Sequence, residues 1–255
     1  RRISVVTQPT DAGVSGMLIR VGSEFTIAYA AHLQNEGFEN FSIAHELGHY
    51  FLPGHIDHVI GEDGAHKTHA DHESSDPHEV EADRFAAALL MPHHLFISAA
   101  RLVPDGLIGI EQLAKLCKTS LTATAIRYAQ CMSDELFAVV ASRSEQIEFC
   151  WMSNSFSKLR DLTWRKKGDE VPRRTATYGL LGDPGRILHA DRESGTPHLH
   201  EWFDTGPDLR LIEEAVGLGR SGRVLTILTV DGALDEDEVE EEADLVESWT
   251  PRFRR

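Results

Sequence analysis

The stretch Phe41-Ser42-Ile43-Ala44-His45-Glu46-Leu47-Gly48-His49 restricts this chain more than any other. Phe41, Ala44, Gly48 and Phe51 recur at i, i+3, i+7 and i+10, which predicts an α-helix with that face buried. The run contains the pattern H-E-x-x-H. Helical residues four apart project from a common face, so His45 and His49 can share one ion. Neutral imidazole is a favoured zinc ligand, and a catalytic zinc takes three protein ligands and keeps one position for water. Glu46 stands beside the first histidine, where it can reach that water without ligating and act as general base. Short patterns of this kind also arise on solvated helices. The motif gains weight only with a third ligand at a workable place.

Two residues compete for that place. His55 stands six residues after His49, as in the pattern H-E-x-x-H-x-x-G-x-x-H. That pattern needs a glycine where this chain has Leu52, and Pro53-Gly54 turns the chain one or two residues late. The rival is Glu79. Asp76 is a good N-cap, Pro77 suits the first helical position, and Met91-Pro92 marks a stop, so a helix is expected between them. Glu79 and Asp83 share a face of it, so Glu79 can bind the metal while Asp83 accepts a hydrogen bond from a ligand histidine. Glu81 lies about 200° around the helix from Glu79 and is excluded from that face. Glu79 is the stronger choice.

His45-Glu46-Leu47-Gly48-His49, followed by Glu79-Val80-Glu81-Ala82-Asp83-Arg84-Phe85-Ala86-Ala87 and Leu89-Leu90-Met91-Pro92, resembles the ImmA/IrrE metallopeptidases, gluzincin-like enzymes of bacteria and phages. The motifs cover residues 41 to 92. A looser similarity runs to about residue 130 and returns at Trp249-Thr250-Pro251-Arg252-Phe253-Arg254-Arg255. The resemblance implies that His45, His49 and Glu79 are zinc ligands, that Glu46 is the catalytic glutamate, and that Asp83 fills the family's Asp or Asn position beside the metal. It also implies an endopeptidase whose substrate is a helix-turn-helix repressor. The departure is the insert from His55 to His78, which leaves open whether an extra side chain closes the site.

An α+β architecture follows: a mainly helical zinc-peptidase domain with a small sheet over residues 1–132, then a mainly β domain over 133–255. Met17, Ile19 and Val21 alternate, Gly22-Ser23 turns, and Phe25, Ile27 and Tyr29 alternate again, which reads as a hairpin. Its edge is either a rail for extended substrate or merely one wall of the core. The insert holds His55, His58, His66, His69, His72 and His78. Their spacings match no metal-site pattern, and the segment reads as a polar lid. These histidines and Tyr29 are candidates for stabilising the oxyanion, and the sequence selects none of them.

Helices are expected over 93–102, 110–118 and 121–130. The last two have the size of a helix-turn-helix, but Arg127 is the second one's single basic residue, which argues against base reading. Beyond residue 134, strands are expected at 136–141, 147–152, 186–190, 198–203 and 224–230. The basic stretch Arg165-Lys166-Lys167, with Arg173-Arg174 nearby, reads as solvated loop.

Net charge is −16, which argues against general binding to a phosphate backbone. Residues 235–247 alone carry nine carboxylates and read as a solvated acidic segment. No apolar run approaches the roughly 20 residues a membrane helix needs. Arg1-Arg2 is followed by no apolar export segment, and because the chain begins without Met a preceding segment is expected. Three cysteines without framework spacing fit a reducing compartment, so the cytoplasm is expected. The expected function is therefore a cytoplasmic zinc endopeptidase acting on a protein. The alternative is a non-catalytic regulator, such as a toxin–antitoxin partner, that keeps the fold and acts by contact.

Overall fold

The computed structural model describes residues 3–7, 13–30, 35–69 and 76–230. The acidic segment 235–247 and the motif at 249–255 lie outside the described residues. The chain divides into two compact units, Arg1–Glu135 with Trp151–Asn154, and Leu136–Cys150 with Ser155–Arg255. Helices and two separate sheets make the fold α+β.

In the first unit, β1 (Ile3–Thr7), β2 (Val14–Val21), β3 (Glu24–Tyr29) and β4 (Ala65–His69) form a sheet of order β1-β3-β2-β4. The expected hairpin is β2–β3, turning at Gly22, whose φ of 62° favours glycine. Both hairpin strands are interior, and the sheet edges are β1 and β4. On β3 the alternating Phe25 and Ile27 face the core. On β2 the residue packed with them is Leu18, which pairs with Ile27; Val14 is also buried, while Val21 is 75% exposed. Met17-Leu18-Ile19 is apolar throughout, so alternation could not choose the face. The helix α1 (Glu36–Phe51) chooses it by packing Ile43, Leu47 and Tyr50 against Leu18, Phe25 and Ile27.

Asn35 caps α1, its side chain accepting from the Phe38 N–H at 3.1 Å. The expected helix forms, but of its expected buried face Ala44 and Gly48 are buried, Phe41 is half-buried and Phe51 is 62% exposed. The face opposite the sheet packs on α3 (Pro77–Leu90) through small residues. A Cβ on Gly48 would stand 3.0 Å from the Ala82 Cα, and Ala44, Ala82 and Ala86 are buried with it. Small side chains let the two backbones approach closely, which sets the distance between the side chains they carry. Asp76 caps α3 as expected, with its Oδ1 2.9 Å from the His78 N–H, and Pro77 follows at the first turn.

The described part of the insert forms a short helix and a strand. Pro53-Gly54 turns the chain into α2 (His55–Val59), with Gly54 at φ 83°, and β4 then pairs antiparallel with β2. Beyond α3 come α4 (His93–Ala100), α5 (Gly106–Cys117) and α6 (Leu121–Cys131), close to the expected ranges. The Arg127 guanidinium donates twice to the Met91 carbonyl, at 3.1 and 2.9 Å, and so serves to close the end of α3. The α5–α6 turn in turn abuts the start of α1. A Cβ on Gly37 would lie 2.4 Å from the Ser120 nitrogen. Gly37→Ala is therefore expected to destabilise the protein by about 1–3 kcal/mol, the usual range for overpacking, measured by denaturant unfolding.

The second unit, with Trp151–Asn154 belonging to the first, holds β5 (Phe137–Arg143), β6 (Gln146–Met152), α7 (Asn154–Ser157), α8 (Ala176–Leu181), α9 (Pro184–Leu188), β7 (Arg192–Gly195), α10 (Leu199–Phe203), β8 (Leu211–Gly217) and β9 (Val224–Val230). Its sheet has the order β6-β5-β9-β8-β7. Strands β5, β6 and β9 fall where they are expected, but 186–190 and 198–203 are mainly helical. Asp183 with Pro184 starts α9, and a capping box between His198 and Glu201 starts α10. Buried Glu213 accepts from the Ala176 and Thr177 amides and the Thr177 hydroxyl, anchoring α8 to the sheet.

Candidate metal centre

The crossing of α1 and α3 brings His45, His49 and Glu79 together. His45 Nε2 is 3.0 Å from His49 Nε2 and 3.2 Å from a Glu79 carboxylate oxygen; His49 Nε2 is 3.3 Å from the other oxygen. The edge of a tetrahedron built on zinc–nitrogen bonds of ~2.0–2.1 Å is about 3.3 Å, so the spacing suits one small cation. Glu79 is the anion of the group. Burial alone would raise its pKa, but hydrogen bonds from His45, His49 and His66 hold it well below the usual carboxylate range. Burial likewise lowers His45, yet its bonds to Asp83 and Glu79 prevail and lift it to about 9. For His49, burial dominates and lowers the pKa.

Both ligand-type histidines are oriented from behind. Asp83 Oδ1 accepts from His45 Nδ1 at 2.9 Å, which turns His45 Nε2 toward the centre. His49 Nδ1 meets His55 Nδ1 at 3.2 Å, and His55 Nε2 meets Glu81 Oε2 at 3.0 Å. The rival third-ligand candidate His55 therefore sits on the far side of His49, and Glu81, excluded from Glu79's face, holds His55 in place.

Glu46 is fully buried. Its Oε1 accepts from the Thr68 hydroxyl at 2.7 Å, and its Oε2 has no hydrogen-bond partner among the described residues. Gly16 of β2 makes room for it, since a Cβ there would lie 3.0 Å from Glu46 Oε1. Burial raises the Glu46 pKa, opposed by His66, the Thr68 bond and His45. A buried carboxylate with one oxygen fixed and the other uncommitted is suited to accept a proton from water.

One residue of the centre escaped selection from the sequence. His66, on β4, places Nε2 3.3 Å from Glu79 Oε1, and its ring meets the His49 ring edge-on with centroids 4.6 Å apart. Donor atoms of His45, His49, His66 and Glu79 all lie within 4.8 Å of one another. The available signal was the strand alternation that puts His66 and Thr68 on one face, but it did not separate His66 from its five neighbours. Of those, His58 and His78 bind Asp76 and stack on each other, and His72 lies outside the described residues. Tyr29 lies on β3 opposite Gly16 and is not one of the four.

A helix bearing H-E-x-x-H is thus crossed by a second helix that returns a carboxylate to both histidines. Residues 15–129 match the Peptidase_M78 family model, described as an IrrE N-terminal-like domain. A comparison with curated protein sequences finds no match. Among solved structures, a Mycobacterium tuberculosis transcriptional regulator aligns with a TM-score of 0.54 at 15% identity, over 89% of this chain and 66% of that one. At that identity the likeness is one of fold, and this chain spans just under two thirds of the neighbour's length. No helix among the described residues is long and apolar enough to cross a membrane.

Proposed function

We propose that the chain is a zinc-dependent endopeptidase that cuts a cytoplasmic protein, with a helix-turn-helix repressor as substrate. The observation that carries this reading is the convergence of His45, His49 and Glu79 beside a buried Glu46 with one uncommitted oxygen. The donor set, two imidazoles and a carboxylate, fits zinc. Zinc held there would polarise the peptide carbonyl and lower the pKa of a water.

The protein's own residues do the rest. Glu46 takes the proton of the attacking water and passes it to the leaving amine; in the resting site Thr68 holds one of its oxygens. Asp83, and His55 with Glu81, fix the rings of His45 and His49. The repressor substrate rests on the family resemblance. Direct contact with nucleic acid is disfavoured by the net charge and by the engagement of Arg127 within the fold.

The test is incubation with the helix-turn-helix protein encoded beside this gene, with fragments followed by mass spectrometry. Cleavage that stops with a chelator and returns with zinc is expected. A metal-loaded protein that binds this partner and leaves it intact would favour a regulator acting by contact.

A further inference from the structure

Resting on the peptidase reading, we propose that His66 is a fourth metal donor and that β4 is a latch holding the site closed. A catalytic zinc takes three protein donors and keeps one position for water, whereas four donors make a closed site. His66 Nε2 approaches the same Glu79 oxygen as His49 Nε2, each at 3.3 Å, and the four donor atoms lie within 4.8 Å of one another, a cluster that could gather around one metal ion. The His66 side chain is 14% exposed, so it is seated in the group.

The same strand also holds the base. Residues two apart on a strand face one way. From that face Thr68 donates to Glu46 Oε1 at 2.7 Å and lies 3.2 Å from His66 Nε2. One element therefore supplies the closing donor and the restraint on Glu46. Within the sheet, among the described residues, β4 pairs with one strand, β2, at the edge. Its release requires the loss of that short ladder, of the Gly61 N–H bond to the Ala65 carbonyl, and of the contacts of His66 and Thr68 with Glu79 and Glu46, and an extended segment of a protein partner pairing with β2 could replace the ladder. Loss of β4 would free the fourth position and the Thr68-bound oxygen together.

The experiment compares wild type with His66→Phe, which keeps a ring against His49 but offers no donor, and with His66→Ala, which controls for bulk. Metal affinity is measured by competition with a chromophoric chelator, coordination from the visible absorption of the cobalt-substituted protein, and cleavage with saturating metal. Both variants are expected to bind metal at least about 10-fold more weakly, the lower bound for loss of even a supporting residue. Their cobalt spectra should shift as an imidazole is lost, and they should cleave faster than wild type. Unchanged affinity and spectrum would overturn the assignment of His66 as a donor. Slower cleavage would overturn the latch and make His66 a group acting on the substrate. If the coordination changes appear but neither wild type nor variants cut, the fourth donor stands and the peptidase reading fails.

Discussion

Glu46→Gln should retain metal, fold and partner binding while cleavage falls by about 10²–10⁴-fold, the usual contribution of positioned acid–base catalysis. Glutamine has nearly the same shape, so the space opened by Gly16 still accommodates it, and its amide oxygen still accepts from Thr68. It cannot take up a proton from the attacking water or return one to the leaving amine. Glu46 is not among the clustered donors, so elemental analysis should find the same metal content in variant and wild type. Cleavage at the wild-type rate would remove Glu46 from the role of base.

Glu79→Ala and His55→Ala should differ sharply in metal binding. Glu79 is the only anion among the four donors and touches all three imidazoles. Removing it leaves neutral nitrogens, two of them 3.0 Å apart, with no carboxylate to balance a dication. His55 reaches only the outer nitrogen of His49, so His55→Ala should keep the metal and weaken it by about 10–100-fold, the range for a supporting residue. Glu79→Ala should exceed that range and lose metal on dialysis against a chelator. The opposite order would transfer the third-ligand role to His55.

Much of this centre was legible because it is local. His45 and His49 share a face by helix geometry alone, and Glu46 follows from its adjacency. Glu79 and Asp83 became readable through the cap at Asp76 and Pro77, which fixed where α3 starts and so which of its carboxylates share a face. The second unit was harder to read, since α9 and α10 span five residues each, too few for a helical period to appear. Their capping residues were the only local signs.

What the sequence by itself determined, then, is the pair of helices, their capped starts, and the side chains each presents on one face, because backbone periodicity fixes these within a few residues. The tertiary structure alone decided which helix faces meet, which face of β2 is buried, and which insert histidine reaches the centre. Gly48 against Ala82 sets the helix contact, α1 selects Leu18 over its apolar neighbours, and the pairing of β4 with β2 selects His66. Strand register is a non-local choice in which a shift of one residue turns every side chain to the other face. Nothing within residues 65–69 could encode that choice without the partner strand.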